Sequence, residues 1–155
     1  MNDGPPGDDA GDEGGPGRWV VTVAADRDYH DLVLARRPAD ATGAVTPDFP
    51  AAAPPREVVL RADEVRIGRA GGPPAAAETP EIDLAGPPPD PGVSALHAVL
   101  MALPPDRWVV MDAGSTNGTT LNYDEDPLTP DTPVALRSGD RIHVGAWTTL
   151  TVERR

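Results

Sequence analysis

The chain lacks cysteine and lysine, and these two absences remove several classes of chemistry. Without Cys there are no disulfides, no thiolate zinc sites and no cysteine nucleophiles. All 13 basic residues are arginines. Without Lys there is no Walker-type phosphate loop and no Schiff-base chemistry. Enzymes that depend on these groups are excluded.

A long apolar run is also missing. No stretch stays apolar for the roughly 18 residues that a membrane span needs. The first residues have neither the basic start nor the continuous apolar core of a signal peptide. We therefore expect a soluble, cytoplasmic protein that does not insert into a membrane.

Positive charge is scarce, since the formal net charge is −12. Residues 1–17, MNDGPPGDDAGDEGGPG, contain five acidic residues, no basic residue and no aliphatic side chain larger than alanine. This composition predicts a disordered acidic tail. Residues 18–155, which have the length of one domain, keep 20 acidic residues against 13 arginines. Such a domain is a poor candidate for nonspecific binding of nucleic acid.

From residue 18 onward the apolar residues come in short runs separated by Pro, Gly and Asp. The strand candidates are RWVVTVAA, EVVLRA, EVRIG, HAVLMAL, RWVVMD, PVALR, DRIHVG and WTTLTV, which have the length and β-branched content of strands. They predict an all-β, antiparallel β-sandwich with long Pro-rich loops at about 38–55 and 70–80. The one stretch with helical character is ADRDYHDLVLARRPAD. Because it is short and ends in proline, we assign it a single turn or a continued strand.

The histidines do not indicate a catalytic or metal centre. His30, His97 and His143 lack the close pairing of a metal site, so we expect no metal and no cofactor. His143 alternates with the apolar residues of its strand and is predicted to lie at the surface. Ser94 and His97 would point to opposite faces of a strand, and no GxSxG elbow surrounds the serine. We therefore predict that the protein is not an enzyme.

Two stretches combine turn residues with polar donors. In VRIGRA, Gly68 permits a sharp turn or a close backbone approach, and Arg69 presents a planar fork suited to a carboxylate or phosphate. In GSTNGT, the Asn-Gly pair is a strong hairpin signal. Ser115, Thr116 and Asn117 nevertheless supply more polar groups than a turn needs.

The order of these motifs resembles a forkhead-associated (FHA) domain, a phosphothreonine-peptide binding sandwich. The motifs are Gly68-Arg69, Ser94-x-x-His97, GSTNGT at 114–119 and LRSGDRIHVG at 136–145. The resemblance covers the core motifs at about 56–152, and the domain is assigned to 18–155. It implies about eleven strands in the SMAD-like arrangement. The Ala- and Pro-rich composition is similar to that of actinobacterial members, in which such domains accompany Ser/Thr kinase signalling.

The resemblance also implies a role for each motif residue. The partner would be a threonine-phosphorylated protein or peptide, such as a Ser/Thr protein kinase or its substrate. The residues expected to bind the phosphopeptide are Arg69, Ser94, Thr116 and Asn117. Those expected to shape and support the loops are Gly68, His97, Gly114 and Gly118.

One position departs from the family pattern. The family commonly has Arg directly after the binding serine, and this chain has Ala95. Arg66, two residues before the Gly68 loop, is a possible substitute cation. The alternative function is therefore an FHA-fold scaffold that has lost phosphate recognition and acts in oligomerisation or phosphate-independent docking.

Overall fold

Ten strands and one helix make up the computed structural model, which describes residues 18–36, 49–70, 80–86 and 89–155. The predicted tail at 1–17 and the greater part of both Pro-rich loops lie outside the described residues. The elements, in chain order, are β1 Trp19–Ala25, α1 Arg27–Ala35, β2 Arg56–Val59, β3 Glu64–Gly68, β4 Ile82–Asp83, β5 Ala98–Leu103, β6 Arg107–Asp112, β7 Thr119–Leu121, β8 Val134–Ala135, β9 Arg141–Val144 and β10 Thr148–Arg154.

The strands form two five-stranded sheets. One has the order β2-β1-β10-β9-β7 and the other β4-β3-β5-β6-β8. Neighbours are antiparallel except β3 and β4, which pair in parallel. Strands β1 and β10 pair over seven residues, so the first and last strands lie side by side in one sheet. The predicted β-sandwich is confirmed.

The core lies between the sheets because alternate side chains of the strands point inward. Its fully buried members come from both sheets and are β-branched or leucine residues for the most part. Examples are Val21, Ile67, Leu100, Val110, Ile142 and Leu150. This packing holds the strand ends in fixed positions and so determines where the connecting loops meet.

The expectation of a turn or strand after β1 was wrong, because the segment forms α1. Asp26 caps the helix by accepting a hydrogen bond from the Tyr29 backbone N–H at 3.2 Å. Tyr29 and His30 are buried, and the Tyr29 hydroxyl donates to the Gly145 carbonyl at 3.0 Å. The helix thus depends on a cap and on contacts with residues distant in sequence. No helix in the described ranges is long and apolar enough to cross a membrane.

His143 also differs from the expectation, because it is fully buried. Its Nε2 accepts a hydrogen bond from the Tyr123 N–H at 3.0 Å, and Nδ1 lies 2.8 Å from Thr149 Oγ1. The ring stacks on Tyr29 with centroids 4.8 Å apart. Burial lowers the pKa of His143 to about 4, so the ring is neutral and its Nδ1–H donates to Thr149. The alternation pattern predicted that His143 faces solvent, but Tyr123 and Thr149 provide its hydrogen-bond partners inside the protein instead.

Candidate functional site

Three loops meet at one end of the sandwich and contain the four residues predicted to bind the phosphopeptide. The motif at 136–145 lies elsewhere, in the β8–β9 connection and β9. The three loops are the start of the β3–β4 connection at Arg69, the described part of the β4–β5 loop at 84–86 and 89–97, and the β6–β7 loop at 113–118. Hydrogen bonds join the loops to one another, so they form a single surface. The predicted site residues are therefore brought together, although they are spread over about 50 positions of the sequence.

Gly68 is required by the close approach of two of these loops. A Cβ on Gly68 would lie 2.0 Å from the carbonyl oxygen of Ala95. The obstacle is backbone, so no side-chain rotation would relieve it. The Arg69 N–H donates to the Ser94 carbonyl at 3.1 Å directly beside this contact. The absence of a side chain at 68 thus lets Arg69 and Ser94 lie next to each other.

Arg69 is half-buried and held by one neutral acceptor. Its Nε–H donates to the Val93 carbonyl at 2.9 Å. It forms no ion pair with any residue of the described ranges. The guanidinium has five N–H donors, and the four on its terminal nitrogens remain for a ligand. The positive charge is also unneutralised, which suits the site to an anion.

Ser94 and Thr116 connect the β4–β5 loop to the β6–β7 loop. The Thr116 backbone N–H donates to Ser94 Oγ at 3.0 Å. A hydroxyl that accepts one bond still has its own hydrogen to donate. Ser94 can therefore hold the neighbouring loop and donate to a phosphate oxygen at the same time. Thr116 itself is exposed to solvent.

Asn117 is exposed at the tip of the β6–β7 loop. Its Nδ2 donates to the Gly92 carbonyl at 2.9 Å. Its Oδ1 has no hydrogen-bond partner in the described part of the chain. The side chain is thus oriented by the β4–β5 loop, and an amide oxygen is left to accept a backbone N–H from a bound peptide.

His97 lies behind these residues and is fully buried. Its Nδ1 accepts a hydrogen bond from the Ser94 N–H at 3.1 Å. Its Nε2–H donates to the Gly118 carbonyl at 2.9 Å. Burial lowers the pKa of His97, which favours the neutral ring that this pair of bonds requires. His97 therefore joins the two loops from inside.

The two remaining motif glycines shape the β6–β7 loop. Gly114 has φ +85° and Gly118 has φ +87°, in the left-handed region that other residues rarely adopt. Gly114 has open space around its Cα, whereas a Cβ on Gly118 would come 3.3 Å from the Pro127 side chain. Both glycines serve the turn of this loop, but β6 and β7 lie in different sheets, so the Asn-Gly pair does not form the β-hairpin that it indicated.

Asp112, which the sequence analysis did not single out, organises the β6–β7 loop. Oδ2 accepts from the backbone N–H groups of Gly114 (2.9 Å) and Ser115 (3.1 Å). Oδ1 accepts from the hydroxyls of Ser115 (2.6 Å) and Thr119 (2.7 Å). Burial raises the pKa of Asp112, but these bonds outweigh it and the net pKa is lowered. An Asp with Gly and Ser two and three residues further along the chain, as in Asp112-Ala113-Gly114-Ser115, is an Asx-turn signal that could have revealed it.

Arg66 does not replace the cation missing at Ala95. Its guanidinium pairs with Glu81, with Nη2 2.8 Å from Oε2 and Nε 3.1 Å from Oε1. The hydrogen bonds from Arg66 lower the pKa of Glu81 to about 2. Arg66 is therefore paired with Glu81 beside β3. Arg69 is the motif cation at the loop end of the sandwich.

Comparisons with known proteins agree with this geometry. A sequence model of the FHA domain matches residues 65–145, which is more than half of the chain. The chain belongs to the FHA domain family. Members of this family are interaction modules.

Individual relatives are distant. An FHA domain-containing protein of Arabidopsis thaliana is 40% identical over 63 residues, which cover 41% of this chain and 16% of that protein. The solution structure of an FHA domain from an Arabidopsis thaliana hypothetical protein has a TM-score of 0.58 at 21% identity, with 95% of this chain and 94% of that chain covered. It supports the fold alone.

Two further solved structures concern FHA domain interactions. One, from an analysis of phosphothreonine-dependent FHA domain interactions, is 24% identical with a TM-score of 0.51 and covers 88% of this chain and 97% of that chain. The other is the FhaA FHA domain complexed with the intracellular domain of Rv3910. It is 25% identical with a TM-score of 0.50 and covers 86% of this chain and 99% of that chain.

Proposed function

We propose that this FHA domain binds threonine-phosphorylated proteins or peptides and so mediates phosphorylation-dependent protein–protein interaction in Ser/Thr kinase signalling. The observation that carries the proposal is Arg69. Its guanidinium is anchored through Nε to the carbonyl of Val93, the residue before Ser94, and within the described residues its four terminal N–H donors and its charge have no partner.

The chemistry of the ligand matches these groups. A phosphothreonine carries about −1.5 to −2 charges and three acceptor oxygens. Charge-assisted bonds from Arg69 and a hydroxyl bond from Ser94 would serve those oxygens, and Thr116 would add a contact from the facing loop. Asn117 Oδ1 would accept a hydrogen bond from a backbone N–H of the peptide. Specificity for the phosphate and for the chain beside it then comes from different residues.

The related structures support a protein partner. One belongs to work on phosphothreonine-dependent interactions, and another contains the intracellular domain of a second protein. A Ser/Thr kinase or its substrate is the partner that the family resemblance implies for this chain. The similarity to actinobacterial members and the cytoplasmic location are proposed from the sequence composition alone.

The test is a titration with one peptide in two forms, phosphorylated and unphosphorylated on threonine, measured by calorimetry. The wild-type chain should bind the phosphorylated form only. Arg69→Ala should weaken binding about 30-fold, because charged hydrogen bonds contribute about 1.5–3 kcal/mol. Ser94→Ala should weaken it about fivefold, as expected for one neutral bond.

Matched controls are available at the opposite end of the sandwich. Arg137 is an exposed arginine there, and Ser138 Oγ accepts a backbone N–H from Arg154 at 2.9 Å, as Ser94 accepts from Thr116. Arg137→Ala and Ser138→Ala should leave the dissociation constant within twofold of wild type. An equal loss in the control and site variants would contradict the proposal.

The second candidate function is a scaffold that docks partners without reading phosphate. Ala95 favours it, because one cation of the usual site is missing and Arg66 is paired with Glu81. Under this function the two peptide forms would bind equally, and Arg69→Ala would have no effect. The same titration therefore separates the two functions.

A further inference from the structure

A buried carboxylate joins the β4–β5 loop to the opposite sheet. Asp90 is 1% exposed. Its Oδ1 accepts from the backbone N–H groups of Gly92 and Ala146, both at 2.9 Å. Its Oδ2 accepts from the Trp147 N–H at 3.1 Å and from the Thr148 hydroxyl at 2.7 Å. Two of these four donors belong to the β9–β10 turn, and a third, Thr148, begins β10, so the carboxylate bridges the two sheets.

The β4–β5 loop and the β9–β10 turn approach so closely that two positions, Gly92 and Gly145, have no room for a side chain. Gly145 has φ +66°, and a Cβ there would lie 2.6 Å from both carboxylate oxygens of Asp90. A Cβ on Gly92 would lie 2.8 Å from the Ala146 nitrogen and 2.9 Å from the Gly145 Cα. The two glycines thus allow the loop backbone to lie directly on the turn.

The same short loop orients two of the candidate binding residues. Directly after Asp90, the Gly92 carbonyl holds Asn117 Nδ2 and the Val93 carbonyl holds Arg69 Nε, each at 2.9 Å. The orientation of these carbonyls depends on the path of the loop, and that path is fixed by Asp90. In the described part of the chain Asp90 forms no hydrogen bond or ion pair with Arg69 or Asn117, and it is 1% exposed.

We propose that Asp90 is a positioning residue for the phosphopeptide site, acting through the Gly92 and Val93 carbonyls on Asn117 and Arg69. The inference rests on the proposed function. It makes the affinity for phosphopeptide depend on the β9–β10 turn, which belongs to the other sheet and contains none of the candidate binding residues. Without the Asp90 contacts, the Gly92 and Val93 carbonyls would no longer be held in place. The Asn117 amide and the Arg69 guanidinium would then lose their fixed orientation.

The sign of the effect distinguishes positioning from simple electrostatics. Replacing Asp90 by Asn removes a negative charge near an anion site, so electrostatics alone would strengthen phosphopeptide binding. Positioning predicts the opposite, because an amide cannot accept all of these bonds. Asp90→Asn should weaken binding of the phosphothreonine peptide about tenfold or more, measured by calorimetry at a temperature where circular dichroism shows the variant folded.

Asp26→Asn is the matched control. Asp26 also loses one negative charge, and it accepts from the Tyr29 N–H and from the hydroxyls of Tyr123 and Thr149, so it contacts the same strand β10. In the described ranges its side chain forms no hydrogen bond with the β4–β5 loop. Its substitution should leave the dissociation constant within threefold of wild type. Binding by Asp90→Asn that equals or exceeds the wild-type affinity would overturn the proposal.

A second pair of variants covers the case in which Asp90→Asn does not fold. Gly145→Ala and Gly139→Ala both place a side chain at positive φ, +66° and +98°, but only the first collides with Asp90. Gly139 has open space around it. Gly145→Ala should weaken phosphopeptide binding at least fivefold more than Gly139→Ala. Equal affinities in two folded variants would contradict the positioning role.

A readout without any ligand separates this inference from the proposed function. Nuclear magnetic resonance should show the Asn117 side-chain amide and the Arg69 Nε–H exchanging slowly with water in the wild type and at least fivefold faster in Asp90→Asn, but not in Asp26→Asn. If no phosphopeptide binds the wild type, the proposed function fails, and this exchange still decides the role of Asp90. Unchanged exchange in Asp90→Asn would overturn it.

Discussion

The two ends of the sandwich use charge in different ways. One end contains the start of β1 and the end of β10. There, arginines and carboxylates pair with one another. Arg154 pairs with Asp106, and Arg155 lies 2.8 Å from Glu57 and 3.0 Å from Glu153. These pairs are exposed in large part, so solvent screens them and each contributes little to stability. The charges at this end neutralise one another.

At the loop end the charged groups are bound by neutral partners instead. Asp90 and Asp112 accept hydrogen bonds from backbone N–H groups and hydroxyls, and Arg69 donates to a carbonyl. The carboxylates are saturated and buried, and the arginine retains its charge at the surface. An acidic domain can therefore keep one cation available for an anion by satisfying its nearby carboxylates with neutral donors.

The largest effect is expected from Gly68→Ala, compared with Gly139→Ala at the opposite end. The Cβ at 68 would lie 2.0 Å from a backbone oxygen, whereas the one at 139 meets nothing within 4 Å. Gly68→Ala should lower the free energy of unfolding by about 3 kcal/mol and abolish phosphopeptide binding. Gly139→Ala should cost about 1 kcal/mol, because of its positive φ, and leave binding intact.

Chemical denaturation and calorimetry on both variants would test this. If Gly68→Ala were as stable as wild type and bound phosphopeptide normally, the close approach of Ala95 to Gly68 would not be needed for the site.

A smaller effect is expected when one carboxylate is replaced at each end. Asp112→Asn removes an acceptor of four hydrogen bonds in a buried site and should destabilise by about 2–3 kcal/mol. Asp106→Asn breaks an exposed pair with Arg154 and keeps an oxygen for the Trp19 indole, so it should cost less than about 1 kcal/mol. Urea denaturation of the two variants measures the difference. Equal costs would show that the two ends are stabilised alike.

The smallest effect is expected from adding a second cation to the loop end. Ala95 is half-exposed and follows the binding serine directly. Ala95→Arg should strengthen phosphothreonine-peptide binding about fivefold, corresponding to about 1 kcal/mol for an exposed charged contact. Affinity for the unphosphorylated peptide should not change. A variant that binds both forms more tightly would indicate a general charge effect and not a phosphate contact.

Much of the fold could be predicted because it follows from local patterns. Short alternating apolar runs indicated the strands, and the sandwich follows from their number. The helix α1 was missed because its stability depends on the Asp26 cap and on the bond from Tyr29 to Gly145, 116 positions away. His143 was misplaced for a similar reason, since Thr149 and Tyr123 provide the polar partners that allow its burial.

The candidate site was predictable where its residues stand in recognisable motifs, and less so where a role depends on distant partners. Arg69, Ser94 and Asn117 were identified by order and spacing. Asp90 was not, because its partner Thr148 lies 58 positions away and no local pattern connects them. The Arg66 pair with Glu81 could not be foreseen either, since the parallel pairing of β3 with β4 brings the segment before Ile82 beside it.

The central claim is that the unpaired charge of Arg69 is available for a phosphate. The most direct measurement follows the Arg69 Nε–H and the Thr116 backbone N–H by nuclear magnetic resonance during titration with a phosphothreonine peptide and with its unphosphorylated form. The account predicts saturable shifts of both signals with the phosphorylated peptide alone, and no shift at Gly139. Equal shifts with both peptides, or none with either, would contradict it.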